Sequence, residues 1–249
     1  MSEETVLILG ATSAIAERFA RLRAARGDRL LLAGRDAGRL QVIADDLTAR
    51  GAAAAEIAVL DLAAPEDGVA PAFDRMAETL GHVDVVLLAY GVLGDQTAAQ
   101  ADPAETARLL TVNMTSACAW LTAVAAHMER RGRGAIAAIS SVAGDRGRRT
   151  NYTYGAAKGG LALFMEGLAH RFAGTGVKVV TIKPGFVDTP MTDGLKKSGP
   201  LWAKPDAVAA DIDAAITKGR PVTYTPWFWW GIMRIIRGLP RPIFNKMNI

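Results

Sequence analysis

The chain has 249 residues, 50% of them hydrophobic and 22% charged, the composition of one globular domain with a sizeable core, which excludes a disordered or fibrous chain. Its net charge of +4 resides in the last 29 residues, where Arg234, Arg237, Arg241 and Lys246 stand without an acid; a basic end without a basic face argues against nucleic acid and for one local interaction. Cys118 is the only cysteine, so an internal disulfide and a cysteine-rich metal site are excluded, and a reducing, cytoplasmic setting is expected.

The N-terminus lacks the basic start and long apolar stretch of a signal peptide. No run reaches the roughly 18 uninterrupted apolar residues of a spanning helix. In chain order, short apolar runs predict strands at residues 6–9, 30–33, 57–60, 83–89, 135–140 and 177–183. Helical patterns lie between them at 15–26, 37–50 and 104–131, with Gly27, Gly51, Gly132 and Gly134 as stop signals. The alanines at 52–55 read as a loop or a strand entry. Strands apolar on both faces and joined by helices imply an α/β fold, a doubly wound parallel sheet of the Rossmann type in a single domain. We place the α/β domain at 1–225 and an amphipathic, apolar and basic tail at 226–249.

The first strand runs into Gly10, Ala11, Thr12, Ser13, Ala14, Ile15 and Ala16. A helix N-terminus in this place suits a dinucleotide pyrophosphate, because its free N–H groups and dipole favour an anion. Of a three-glycine fingerprint only Gly10 remains, with Ala14 and Ala16 at the other positions; a turn capped by Thr12 or Ser13 is the plain alternative. After the second strand, Gly34 stands where a ribose-binding carboxylate is expected and Arg35 follows. An arginine there can hold a 2′-phosphate, or it is a solvated surface residue.

Tyr154 and Lys158 stand four apart, so on a helix they share a face. A neighbouring ammonium is expected to lower the pKa of a phenol that is otherwise a poor acid or base. Ser141 lies 13 residues before Tyr154 at the end of the fifth strand, on the carboxyl edge where open α/β folds place ligands. Asn113 interrupts a mostly apolar helix, where a polar side chain usually satisfies a core carbonyl. Pro184 and Gly185 follow the sixth strand and read by themselves as a turn.

Together Gly10, Asn113, Ser141, Tyr154, Lys158 and the Pro184-Gly185 pair resemble, in order and over essentially the whole chain, the short-chain dehydrogenase/reductase family. The resemblance implies that Tyr154 is the general acid or base, Ser141 polarises the carbonyl, Lys158 holds the nicotinamide ribose and lowers the tyrosine pKa, and Asn113 positions a relay water. It implies cofactor contacts from Gly10, Thr12, Ser13, Ala14, Ile15, Arg35, Asp61, Leu62, Ala89, Tyr90, Gly91, Tyr154, Lys158, Pro184, Gly185, Val187 and Thr189, no metal, and NADP(H) in preference to NAD(H). The family's Asn-Asn-Ala-Gly motif appears here as Leu88, Ala89, Tyr90 and Gly91, a departure from the pattern.

The tail predicts a helix over 227–239, with Thr225 and Pro226 as cap and first turn and Pro240 as its end. Gly231, Arg234, Arg237 and Gly238 share one narrow side, and Trp227, Trp229 and Trp230 are three of the five tryptophans. Such a helix suits a membrane surface, or packs on the domain or across a subunit interface. Residues 88–95 and 144–158, and the end with Ile243, Phe244, Asn245 and Lys246, are similar to the reductase components of decaprenylphosphoryl-ribose 2-epimerases. That implies reduction of the 2-keto group of a polyprenylphosphoryl pentose, a flavin oxidase acting in the preceding step, and a peripheral position on the inner membrane face. A short-chain reductase acting on another hydrophobic carbonyl or alcohol, or a non-catalytic nucleotide-sensing membrane-peripheral protein, stays open. A homo-oligomer is expected.

Overall fold

The computed structural model describes residues 3–194 and 199–247. The chain runs β1 (Thr5–Leu9), α1 (Ala14–Ala24), β2 (Arg29–Gly34), α2 (Ala37–Ala49), β3 (Ala54–Val59), α3 (Val69–Leu80) and β4 (Val85–Leu88). It continues through α4 (Gln96–Ala101), α5 (Pro103–Leu110), α6 (Ser116–Arg131), β5 (Arg133–Ile139), α7 (Tyr152–Arg171), β6 (Gly176–Pro184) and β7 (Phe186–Val187). Last come β8 (Trp202–Ala203), α8 (Pro205–Lys218), β9 (Val222–Thr225), α9 (Trp229–Gly238) and α10 (Arg241–Phe244).

Seven parallel strands form one sheet in the order β3-β2-β1-β4-β5-β6-β9, and β7 pairs with β8 beside it. The reversal of strand order beside β1 opens a crevice at the carboxyl ends, the usual ligand position in such sheets. All five residues of β1 and all four of β4 are buried, because helices cover both faces and apolar side chains are needed on each. One layer packs Phe19, Leu40, Leu47 and Ile212 on the sheet, and the other packs Phe73, Trp120, Leu161 and Met165. At the amino edge, Arg23 is 1% exposed and is paired with Glu4, Asp28 and Asp213. These pairs lock α1 to α8.

Two expectations change. The segment predicted as one regular helix over 104–131 contains a wide, π-type turn at Thr111–Thr115 between α5 and α6. It is long and apolar enough to cross a membrane by composition, but Trp120, Leu121, Val124 and Met128 are buried against the sheet and neighbouring helices. Thr225 is not a helix cap: it ends β9, pairs in register with Pro184, and donates to Asp211 Oδ2 at 2.6 Å. The tail helix therefore begins at Trp229. The alanine run is strand entry, since β3 opens at Ala54.

Candidate active site

Strand ends and one helix build the site. Gly10 leaves β1 at φ +93°, and a Cβ there would lie 2.6 Å from the Tyr90 backbone; only glycine adopts this turn without cost. The turn is tied to β2 by Gly10 N–H and Ala11 N–H, both donating to the Ala33 carbonyl. It delivers Thr12, Ser13, Ala14 and Ile15 to the start of α1, where Ser13 makes no side-chain cap. The first N–H groups of that helix remain for an anion. A cleft of about 290 Å³ runs from Ala14 to Thr189 and Pro190 between the two segments expected to flank a pyrophosphate, and its lining includes Arg18 and the carboxylates of Glu17, Asp188, Asp193 and Asp206. Arg35 is exposed directly beyond β2. Asp61 accepts from Ala63 N–H at 2.9 Å, and the Leu62 carbonyl accepts from the Trp120 indole at 2.8 Å.

The residues expected to take part in proton transfer meet at the carboxyl edge of the sheet. Ser141 caps the short turn Val142–Asp145, its Oγ accepting from Ala143 N–H at 3.1 Å. It also shares a side-chain hydrogen bond with Tyr154. The two are held together by backbone packing: a Cβ at Gly155 would lie 2.9 Å from the Ala143 oxygen, and one at Gly159 would lie 2.8 Å from the Gly144 oxygen. Glycine next to Tyr154 and next to Lys158 thus lets α7 approach the Ser141 turn closely. Lys158 is 4% exposed; its ammonium donates to the Ile139 carbonyl at 2.9 Å and lies 5.9 Å from the Tyr154 ring centre.

Asn113 sits in the π-type turn, 1% exposed. Its amide donates to the carbonyls of Val92 and Leu109 at 2.9 and 3.0 Å, and its oxygen accepts from Val92 N–H at 3.0 Å. A Cβ at Gly91 would lie 2.6 Å from Asn113 Oδ1 and 3.3 Å from Lys158 Nζ, so Asn113, Gly91 and Lys158 adjoin. Tyr90, which departs from the family motif, bridges to Ser116 at 2.9 Å, and Ser116 in turn donates to the Val112 carbonyl at 3.2 Å. That pair pins the π-type turn carrying Asn113. Its burial pushes the Tyr90 phenol far above its ordinary range.

The expected lowering of the Tyr154 pKa by Lys158 is not what this arrangement gives. Burial pushes the phenol up to about 12 despite the Ser141 hydrogen bond, and burial pushes Lys158 down to about 8. Desolvation opposes both charged forms and outweighs a cation held against a carbonyl. The result is a neutral phenol, able to give a proton at neutral pH.

Sequence reasoning missed two contributors. Gln96 embraces Thr153 beside Tyr154, its Oε1 accepting from Thr153 N–H at 2.9 Å and its Nε2 donating to Thr153 Oγ1 at 3.2 Å. In the sequence it is only a polar residue five places after Gly91. The second is the loop at 146–149, which docks the tail. Arg146 donates to the carbonyls of Ile236, Arg237 and Leu239 and lies 3.7 Å from the Phe244 ring centre. Arg149 donates to the Asn245 carbonyl at 2.6 Å. Trp229 and Met233 pack on Val142, and a Cβ at Gly185 would overlap the Trp229 indole. The tail thereby walls one side of the site.

Residues 4–199 match the family model described as short chain dehydrogenase. An uncharacterized oxidoreductase of Mycobacterium tuberculosis is 38% identical over 245 residues, covering 97% of this chain and 96% of the relative. One of Streptomyces coelicolor is 35% identical, covering 98% and 96%. Among solved structures, a short-chain dehydrogenase from Sphingobium yanoikuyae in complex with NADPH superposes with a TM-score of 0.82 at 26% identity, over 98% of this chain and 96% of that one. Actinorhodin polyketide ketoreductase with NADPH gives 0.80 at 25% identity, over 91% and 97%. With the family model spanning residues 4–199 and relatives alike over nearly the whole chain, and with the Gly10 turn and the uncapped start of α1 in place for a phosphate group, the chain belongs to the short-chain dehydrogenase/reductase family and is an NAD(P)-dependent oxidoreductase.

Proposed function

We propose that the protein reduces a ketone to a secondary alcohol with NADPH in preference to NADH. The observation that carries this reading is the convergence of Ser141, Tyr154, Lys158 and Asn113 on one edge, where burial disfavours the charged form of Tyr154. The substrate carbonyl oxygen accepts hydrogen bonds from Ser141 and Tyr154, and Tyr154 gives it a proton as negative charge develops. A nicotinamide held at this edge would supply the hydride for the carbonyl carbon and leave in its oxidised form. Lys158 stabilises the phenolate left behind and orients the nicotinamide ribose, and Asn113 holds the Gly91–Val92 backbone beside it. Arg35 binds the 2′-phosphate.

The substrate we propose is the 2-keto form of a polyprenylphosphoryl pentose, made by a flavin oxidase and met at a membrane surface. The tail supports this. Trp227 is 80% exposed, Trp230 54% and Ile235 68%, while Arg234 and Arg237 are exposed beside them, a mixture suited to an anionic lipid interface. The experiment is NADPH oxidation with lipid-linked ketopentose generated by such an oxidase, against a panel of other hydrophobic ketones. Turnover with the panel alone would place the enzyme on a different hydrophobic carbonyl, and consumption with neither would remove the reductase reading.

A further inference from the structure

Three arginines, Arg146, Arg148 and Arg149, stand in the loop between Ser141 and Tyr154, with Asp145 the one acid from 141 to 158. Two are accounted for by the tail. Arg148 is not. It is half-buried, yet its Nε has no hydrogen-bond partner and its Nη2 makes only a 3.3 Å bond to the Val142 carbonyl.

The nearby carboxylate is already engaged. Asp145 is 2% exposed, takes Lys183 at 2.6 Å through Oδ1, and takes the Tyr224 hydroxyl at 2.7 Å through Oδ2. A guanidinium does not shed its proton to relieve burial; Asp145 attracts Arg148 from nearby, but that carboxylate is bound to Lys183 and Tyr224 and makes no direct ion pair with it, so the half-buried cation is a cost that folding alone does not explain. Arg23 shows how the same chain treats a structural arginine, surrounding it with three acids. The Val142 contact puts Arg148 one residue from Ser141, and Val142 itself packs on Trp229 and Met233 of the tail. Arg148 is thus tied to the segment that joins Ser141 to the tail.

We infer that Arg148 is an oxyanion subsite, which binds a phosphate or carboxylate carried by the ketone substrate. The planar fork of a guanidinium matches both groups. This inference rests on the ketone-reductase reading but not on the identity of the lipid.

The test uses the full-length enzyme with NADPH and three short ketones of one carbon skeleton, neutral, carboxylate-bearing and phosphate-ester-bearing. The wild type should favour one or both anionic ketones by at least about tenfold in kcat/KM, the two anionic arms telling phosphate from carboxylate. Arg148→Gln should abolish that advantage through KM, leaving the neutral ketone and NADPH affinity within about twofold, and Arg148→Lys should restore part of it. Inorganic phosphate should compete with the anionic ketone in the wild type and not in Arg148→Gln. The inference is overturned if the wild type shows no preference for either anion, or if Arg148→Gln depresses neutral and anionic ketones alike. Should no ketone oxidise NADPH, the reductase reading falls and the subsite falls with it; neutral turnover without anion preference removes the subsite alone.

Discussion

Replacing Gly159 with alanine tests the packing that brings Ser141 to Tyr154. In an open helix the change would stabilise by about 1 kcal/mol, the difference in helix propensity. Here the new Cβ would stand 2.8 Å from the Gly144 oxygen, whereas ordinary contact begins near 3.4 Å. Relief takes a separation of about 0.6 Å between α7 and the turn that Ser141 caps. Overpacking of this kind costs about 1–3 kcal/mol, so the net outcome is a loss of stability of up to about 2 kcal/mol. The catalytic effect is larger in proportion, because a misplacement near 1 Å costs about 100-fold in rate; kcat/KM should fall at least about tenfold. Gly167, on the same helix with nothing within 4 Å of its added Cβ, is the internal control. Gly167→Ala should raise Tm by about 2–4 °C with unchanged turnover. Thermal melts and initial rates of NADPH oxidation on both variants decide the matter. If Gly159→Ala matches Gly167→Ala in stability and rate, the backbone contact does not position the site.

Arg35→Ser should weaken NADPH about tenfold or more, the worth of one charge-assisted contact, while leaving NADH affinity unchanged in a fluorescence titration; equal losses would make Arg35 a general surface residue. Reduction needs the Tyr154 proton and the Lys158 charge, so kcat/KM should be level below about pH 8 and fall as Lys158 loses its proton through that value, with the phenol still protonated towards 12. A rate rising from pH 8 to 10 would mean that phenolate is the working form. Arg146→Met removes the donor to the last carbonyls of α9 and should cost about 1–2 kcal/mol. Proteolysis within 229–247 should quicken while NADPH binding holds, and unchanged cleavage would show that the tail docks by other contacts.

Much of this architecture can be read from residue type and period. Six of the seven sheet strands announce themselves as apolar runs, because both faces of the sheet are covered. The seventh, Val222–Thr225, is short, partly polar and pairs with β6 alone, so it looks like the entry to the tail. The proposed catalytic quartet is visible through its spacing and its likeness to a family. Its energetics are not visible, since the spacing of Tyr154 and Lys158 says nothing about the burial that sets their protonation. Nor can periodicity reveal the extra residue in the π-type turn at Asn113. Tyr90 looks like a lost motif until its hydroxyl is seen on Ser116, 26 residues away. The tail's attachment is equally hidden, because Arg146 and Leu239 are 93 residues apart.

The central claim is that Tyr154 donates the proton in ketone reduction, and Tyr154→Phe addresses it most directly. The substitution keeps the ring beside Lys158 and removes only the hydroxyl, so NADPH affinity should hold within about twofold while kcat for ketone reduction falls at least about 100-fold, the scale of general acid catalysis. Turnover within tenfold of the wild type, on any ketone the wild type reduces, would contradict the account.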